Sequence, residues 1–132
     1  MSNYKPRIES NNLDLTSILS TINALPEAGK GIVSQKFKNA SLNITSDEVT
    51  GAVNISDCEF LGASSIGFES KNTGSFIVAN CAFQDTSLAL FGDGNFTFIG
   101  CEFWNCTKEY ISDTANAALI SGGNMWDGEP YS

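Results

Sequence analysis

With 132 residues, the chain has the length of a single domain, and its net charge of −8 excludes a basic nucleic-acid-binding surface. The sequence contains no histidine, which removes the commonest general base and metal ligand and any Ser-His-Asp arrangement. Hydrophobic residues make up 42% of the chain, enough to fill a core, but no apolar run is long enough to span a membrane.

The first 30 residues predict a polar arm followed by one amphipathic helix. Residues 1–12 are polar and lack the apolar centre of a secretion signal. Asp14 can cap a helix, and Pro26 ends it. The apolar residues between them recur at three- and four-residue steps and form one stripe: Leu15, Ile18, Ile22 and Leu25. Because so short a helix is unstable alone, the stripe is expected to cover the open end of the next domain or to contact the same helix in sister chains.

From residue 31 onwards, one short apolar pattern recurs, and it ends in phenylalanine. Its copies are IVSQKF (32–37), ISDCEF (55–60), VANCAF (78–83) and FIGCEF (98–103), and the last three contain cysteine. A degenerate copy, LISGGNM, follows at residues 119–125. The copies lie 20 to 23 residues apart, a period typical of solenoids, propellers and other repeat proteins.

Each copy lies between two further runs in which apolar and polar residues alternate. Alternation indicates strands with one buried face, and the Gly, Asn, Asp and Ser residues between the runs indicate turns. In the last repeat, the same reasoning predicts a strand through Ala118 and Ile120. The prediction for residues 31–132 is therefore an all-β domain, a short single-stranded right-handed parallel β-helix of about five coils, preceded by the short N-terminal α-helix. A twisted β-sandwich is the alternative.

Equivalent residues of successive coils in a parallel β-helix lie about 4.8 Å apart. The repeated phenylalanines are then expected to point inward and stack, with the cysteines beside them as small buried thiols. The expected columns are Phe60, Phe83 and Phe103, and Cys58, Cys81 and Cys101. A disulfide between neighbouring coils is the alternative for the cysteines, whereas a β-sandwich gives no reason for their alignment.

The copies ISDCEF, VANCAF and FIGCEF resemble the coils of pectate-lyase-like β-helices, over roughly residues 31–128. A second resemblance lies in NNLDLTSILSTINALPEAG (11–29), which is similar to a leader segment near the start of many virion-associated proteins of phages that infect Firmicutes. Together these resemblances imply a phage fibre, spike or decoration protein, assembled in the host cytoplasm and located in the virion. Residues 1–30 would attach to capsid or tail proteins, and residues 31–132 would project, most simply as a homotrimer with the N-terminal helices near its axis.

Aromatic residues gather near the C-terminus: Trp104, Tyr110, Trp126 and Tyr131. Exposed rings can stack on the apolar face of a sugar, so a module that binds a host-surface glycan or receptor is the alternative function. The competing structural interpretation is that Trp126 and Tyr131 cap the core or join a subunit interface.

Support for catalysis is weak. Glu59 and Glu102 share one repeat position two coils apart, about 9–10 Å, near the carboxylate separation of inverting glycosidases. The pattern favours charges that face water instead, so a polysaccharide-cleaving enzyme is a distant third expectation. The sequence has no CxxC motif and no Asp-rich calcium loop, so no metal or other cofactor is expected.

Overall fold

A computed structural model describes residues 30–39, 41–48, 51–62 and 65–132. In these ranges the chain forms a parallel β-solenoid of about four coils, which confirms the predicted β-helix and excludes the β-sandwich. The predicted N-terminal helix and its apolar stripe lie outside the described residues.

Each coil contributes one strand to each of three sheets. Sheet A contains β1 (Lys30–Val33), β4 (Val53–Ser56), β7 (Ser75–Ala79) and β10 (Asn95–Ile99). Sheet B contains β2 (Lys36–Lys38), β5 (Glu59–Leu61), β8 (Ala82–Gln84), β11 (Glu102–Trp104), β13 (Met125–Trp126) and β14 (Glu129–Pro130). Sheet C contains β3 (Ser41–Ser46), β6 (Ser65–Ser70), β9 (Ser87–Phe91) and β12 (Thr107–Ile111). A helix, α1 (Asp113–Ser121), follows β12, and the paired strands are parallel except for β13 with β14.

The strands pair so that equivalent repeat positions stack on one another. In sheet B the stacked positions form one aromatic column: Phe37, Phe60, Phe83, Phe103 and Trp126. Successive rings have centroids 5.0, 4.6, 4.8 and 5.1 Å apart and are nearly parallel, with interplanar angles of 4° to 23°. The strand spacing is also a favourable spacing for stacked rings, so each coil adds one ring to the column. The predicted phenylalanine stack is therefore confirmed.

The turn from sheet A to sheet B, corner one, contains two residues in each of the four coils. The first of the two has a left-handed backbone, with φ of 57° at Ser34, 54° at Asp57, 54° at Asn80 and 61° at Gly100. Asn, Asp and Gly adopt this conformation at the least cost, which explains why they precede the repeated cysteines. Corner two, from sheet B to sheet C, is built on the same conformation at Asn39, Gly62, Asp85 and Asn105, and Asp127 adopts it in the turn between β13 and β14.

Corner three, from sheet C back to sheet A, has no fixed length. Its segments are residues 47–52, 71–74 and 92–94. In the last coil, residues 112–124 run from sheet C directly to β13 of sheet B. At this corner, glycines pack closely against the backbone of the previous coil, and no single turn conformation recurs. A Cβ on Gly74 would overlap the carbonyl of Ser46, and one on Gly92 would overlap that of Ser70. The varying length of corner three accounts for most of the variation in repeat length.

The last coil departs from the prediction. The strand expected through Ala118 and Ile120 is wrong, because this segment belongs to α1, which packs on β10. Ser112 caps the helix, its hydroxyl accepting a hydrogen bond from the Ala115 amide, and Ala115 and Leu119 are its buried residues. Their four-residue spacing is that of a helical face. Because α1 takes the place of a fifth strand in sheet A, the solenoid has about four coils rather than five.

We predict that Asn80→Val lowers the free energy of unfolding by about 1–2 kcal/mol more than Asn80→Gly. The valine side chain is β-branched and disfavours the left-handed backbone at φ 54°, whereas glycine adopts it freely. Urea denaturation of the two variants checks this difference. Equal stability of the two variants would show that the corner conformation does not contribute to stability.

Candidate functional surfaces

The repeated cysteines form a ladder of hydrogen-bond donors beside the phenylalanine column. Cys58, Cys81 and Cys101 are fully buried, and no disulfide links them, as the sequence predicts. Their Sγ atoms donate to backbone carbonyls one coil back, over 3.6 Å to Ile32, 3.6 Å to Ile55 and 3.4 Å to Val78. They are therefore more than small hydrophobes, because each thiol satisfies a buried acceptor next to a corner.

The same role is filled by other polar residues at equivalent positions. Asn124 occupies the cysteine position of the last coil, and its Nδ2 donates to the Phe98 carbonyl at 2.9 Å. At corner two, Thr86 donates to the Phe60 carbonyl at 3.2 Å, and Cys106 donates to that of Phe83 at 3.4 Å. At six positions, the side chain that follows a left-handed residue thus ties one coil to the previous one.

These thiols are poor nucleophiles. The neighbouring Cys81 thiol and burial raise the pKa of Cys58. The Cys101 thiol, together with burial, raises the pKa of Cys81 to about 12, and burial raises that of Cys106 to about 11. Since the thiolate is the reactive form, Cys58, Cys81 and Cys106 are expected to react slowly at neutral pH.

We predict that thiol reagents label the native protein slowly at Cys58, Cys81 and Cys101, even at pH 9. A thiol with a pKa of about 12 is roughly 0.1% ionised there, and all three side chains are buried. Mass spectrometry after timed labelling gives the rate at each site, and the protein unfolded in guanidinium serves as the control in which all four thiols react. Labelling of the three native thiols at the unfolded rate would contradict the buried ladder.

The C-terminal end of the solenoid is closed by an aromatic cluster. Trp126 stacks on Phe103, and the Tyr131 ring packs against Trp126 at an interplanar angle of 62°. The Tyr131 hydroxyl donates to Asn116 Oδ1 at 2.6 Å, which ties the C-terminal segment to α1. Of the two interpretations of Trp126 and Tyr131, this arrangement matches the core cap.

Lys108 lies over this end of the core, with its side chain exposed. It lies at the end of an inward column formed by Leu42, Ile66 and Leu88. Its Nζ lies 4.7 Å from the centre of the Trp126 ring and 4.5 Å from that of Tyr131, which places it for cation–π interactions with both. Lys108 was not predicted from the sequence, although a lysine at a position held by Leu or Ile in the earlier coils is a readable signal.

The other two predicted glycan-contact residues lie on different sheets. Trp104 is half-buried on the outer face of sheet B, where its Nε1 donates to Glu102 Oε1 at 3.4 Å. Tyr110 lies in β12 of sheet C and is 58% exposed. The four aromatic residues therefore do not form one continuous platform.

We predict that Trp126→Ala lowers the free energy of unfolding by about 2–4 kcal/mol, because it removes the ring that covers Phe103. Tyr110→Ala is the matched control and is expected to change stability by less than about 0.5 kcal/mol, since that ring is exposed. Urea denaturation measures both values. A Trp126→Ala variant as stable as the control would mean that Trp126 is not part of the core.

The structure corrects the prediction that Glu59 and Glu102 both face water. Both occupy one outer register position of sheet B with Ala82 between them, as predicted, but Glu59 is fully buried and Glu102 is half-buried. A substrate cannot reach a fully buried carboxylate. The two residues therefore do not form an accessible glycosidase pair.

The outer face of sheet A is the most apolar of the three outer faces. Its side chains include Val33, Ile77 and Ile99, which are 56%, 37% and 50% exposed. A cleft of about 240 Å³ lies where this face meets α1, and residues such as Thr97 and Ala118 line it. The geometry of this face suits contact with another protein surface.

Within the described ranges, no cluster of three or more acidic or cysteine side chains is arranged to hold a metal ion. No helix in the described part of the chain is long and apolar enough to cross a membrane. Comparisons with protein-family models, curated proteins and solved structures gave no match.

Proposed function

We propose that this protein is a non-enzymatic structural component of a bacteriophage particle, as a decoration, short fibre or tail-associated protein. Residues 1–30 attach it to a capsid or tail protein, and the β-solenoid projects from the particle. The observation that carries this proposal is the asymmetry of the solenoid, because its C-terminal end is built as a terminus.

Three features close that end. Helix α1 packs along β10, the last strand of sheet A. Strand β14 folds back antiparallel on β13, which ends the parallel stacking of sheet B. Strand β12 contains an irregular step between Lys108 and Tyr110. Irregular edges with charged residues discourage further strand addition, so this end suits a free tip and the N-terminal side suits attachment.

The composition of the solenoid also fits a structural role. Its interior is filled by stacked rings and by thiols whose hydrogen bonds join successive coils. Four coils at about 4.8 Å each give a rigid projection of about 20 Å. The resemblance of residues 11–29 to a phage leader segment supplies the link to a particle.

The experiment compares Ile18→Asp with Ser20→Asp, expressed in the host during particle assembly. Ile18 lies on the predicted apolar stripe, and Ser20 lies on the opposite side of the same predicted helix. Particles are purified by density gradient, and the amount of protein in them is measured by quantitative mass spectrometry. We expect wild-type and Ser20→Asp protein to copurify with particles and Ile18→Asp to fall at least tenfold.

Circular dichroism of each variant shows whether the solenoid remains folded. Absence of the wild-type protein from purified particles would remove the proposed function. Normal incorporation of the Ile18→Asp variant would mean that the protein belongs to the particle but attaches through residues outside the stripe.

A host-surface glycan-binding module is the second candidate, and the exposure of Tyr110 favours it. The ring lies in sheet C next to small side chains such as Ala89, its register partner, and so leaves room for a sugar. Trp126 and Tyr131 support this candidate less, because their rings already contact Phe103, Lys108 and one another. Glycan-array binding that is lost in Tyr110→Ala would favour this candidate over a purely structural role.

A further inference from the structure

The three outer faces of the solenoid differ in charge. None of the ten outer residues of sheet A carries a charge: Gly31, Val33, Asn54, Ser56, Ser75, Ile77, Ala79, Asn95, Thr97 and Ile99. The outer face of sheet B carries Lys36, Lys38 and Glu102, and strands β6 and β12 of sheet C carry Glu69 and Glu109. An uncharged outer face is unusual for a chain with a net charge of −8.

The apolar area continues beyond sheet A onto α1. Ile77 and Ile99 belong to the neighbouring strands β7 and β10, and the cleft beside Ile99 leads to Ala118. Ile120 is also 50% exposed, but it lies about 160° around the helix from Ala118 and so faces away from the cleft. Three of the five large hydrophobic side chains that the described residues expose lie on sheet A.

We propose that a second copy of this chain binds the outer face of sheet A and the adjoining cleft. Two chains that each carry a charge of −8 repel one another, and contact through a charged face would place carboxylates close together. The sheet A face avoids this repulsion while it buries apolar side chains. A positively charged partner, by contrast, would bind more strongly to the acidic faces of the protein than to this uncharged face.

The size of the face predicts weak association. Four strands about 4.8 Å apart and about four residues long, together with a helix about 10 Å wide, present roughly 350 Å². A standard stable interface buries about 800 Å² on each partner. We therefore expect this contact to form in the micromolar range. In the proposed virion protein, it would join copies that the N-terminal segments already hold together, so this inference rests on the proposed function for its biological role.

The test is sedimentation equilibrium of the full-length protein between about 5 and 200 µM. The wild-type mass is expected to rise above the monomer value of 14.1 kDa with concentration, and to rise further at 0.5 M salt, which screens the repulsion. Ile99→Glu and Ile77→Glu are expected to weaken association at least tenfold. Tyr110→Glu is the matched control, because it adds the same charge at an exposed site on sheet C, and its association is expected to remain close to that of the wild type.

A wild-type mass of 14.1 kDa at every concentration and salt would overturn the proposal, as would normal association of both isoleucine variants. Equal weakening by Tyr110→Glu would also overturn it, because the effect would then come from net charge rather than from this face. Two isoleucine variants are used so that misfolding of one, seen by circular dichroism, leaves the other to decide. The particle experiment uses a different measurement, so failure of this contact and failure of the virion role are distinguishable.

Discussion

Parallel hydrogen bonding holds successive coils at the strand spacing and places each residue over its equivalent in the next coil. Every position of the repeat therefore becomes a column, and each column must be filled by side chains that tolerate their own neighbours at that spacing. Flat aromatic rings meet this condition by stacking, and small thiols meet it by bonding to the carbonyl one coil back. The aromatic column, the thiol ladder and the two left-handed corners all follow from this single constraint.

This constraint also explains how much of the fold the sequence predicts. Repetition of Phe60 at positions 83 and 103 reports stacking directly, because a shift of one residue would turn each ring to the opposite face of its sheet. Asn80 was also predictable as a turn residue, because Asn, Asp or Gly recurs at this position of the repeat. The prediction failed where the repetition stops, since the segment around Leu119 replaces a strand with a helix. The sequence of this segment fits two patterns: the four-residue spacing of Ala115 and Leu119 suits a helix, and the alternation through Ala118 and Ile120 suits a strand. Packing on β10 favours the helix.

The candidate surfaces were less predictable than the core. Glu59 occupies an outer position by alternation, yet it is fully buried, and alternation alone does not report what covers the outer side of a sheet. Lys108 was missed because a charged residue at an inward position is expected to disrupt a core rather than to lie over the aromatic rings at its end. Trp126 and Tyr131 were recognised as aromatic residues near the C-terminus, but their contact with each other depends on the hairpin that follows β13.

The uneven lengths at corner three have an evolutionary consequence. An insertion at corner one would break the row of stacked left-handed turns and the cysteine hydrogen bonds that join neighbouring coils there. Corner three has no fixed turn conformation to interrupt, so an added residue can loop outward while the strands on either side keep their alignment. The segments at this corner already range from three residues (92–94) to six (47–52). New loops can therefore be added along this one edge without redesign of the core.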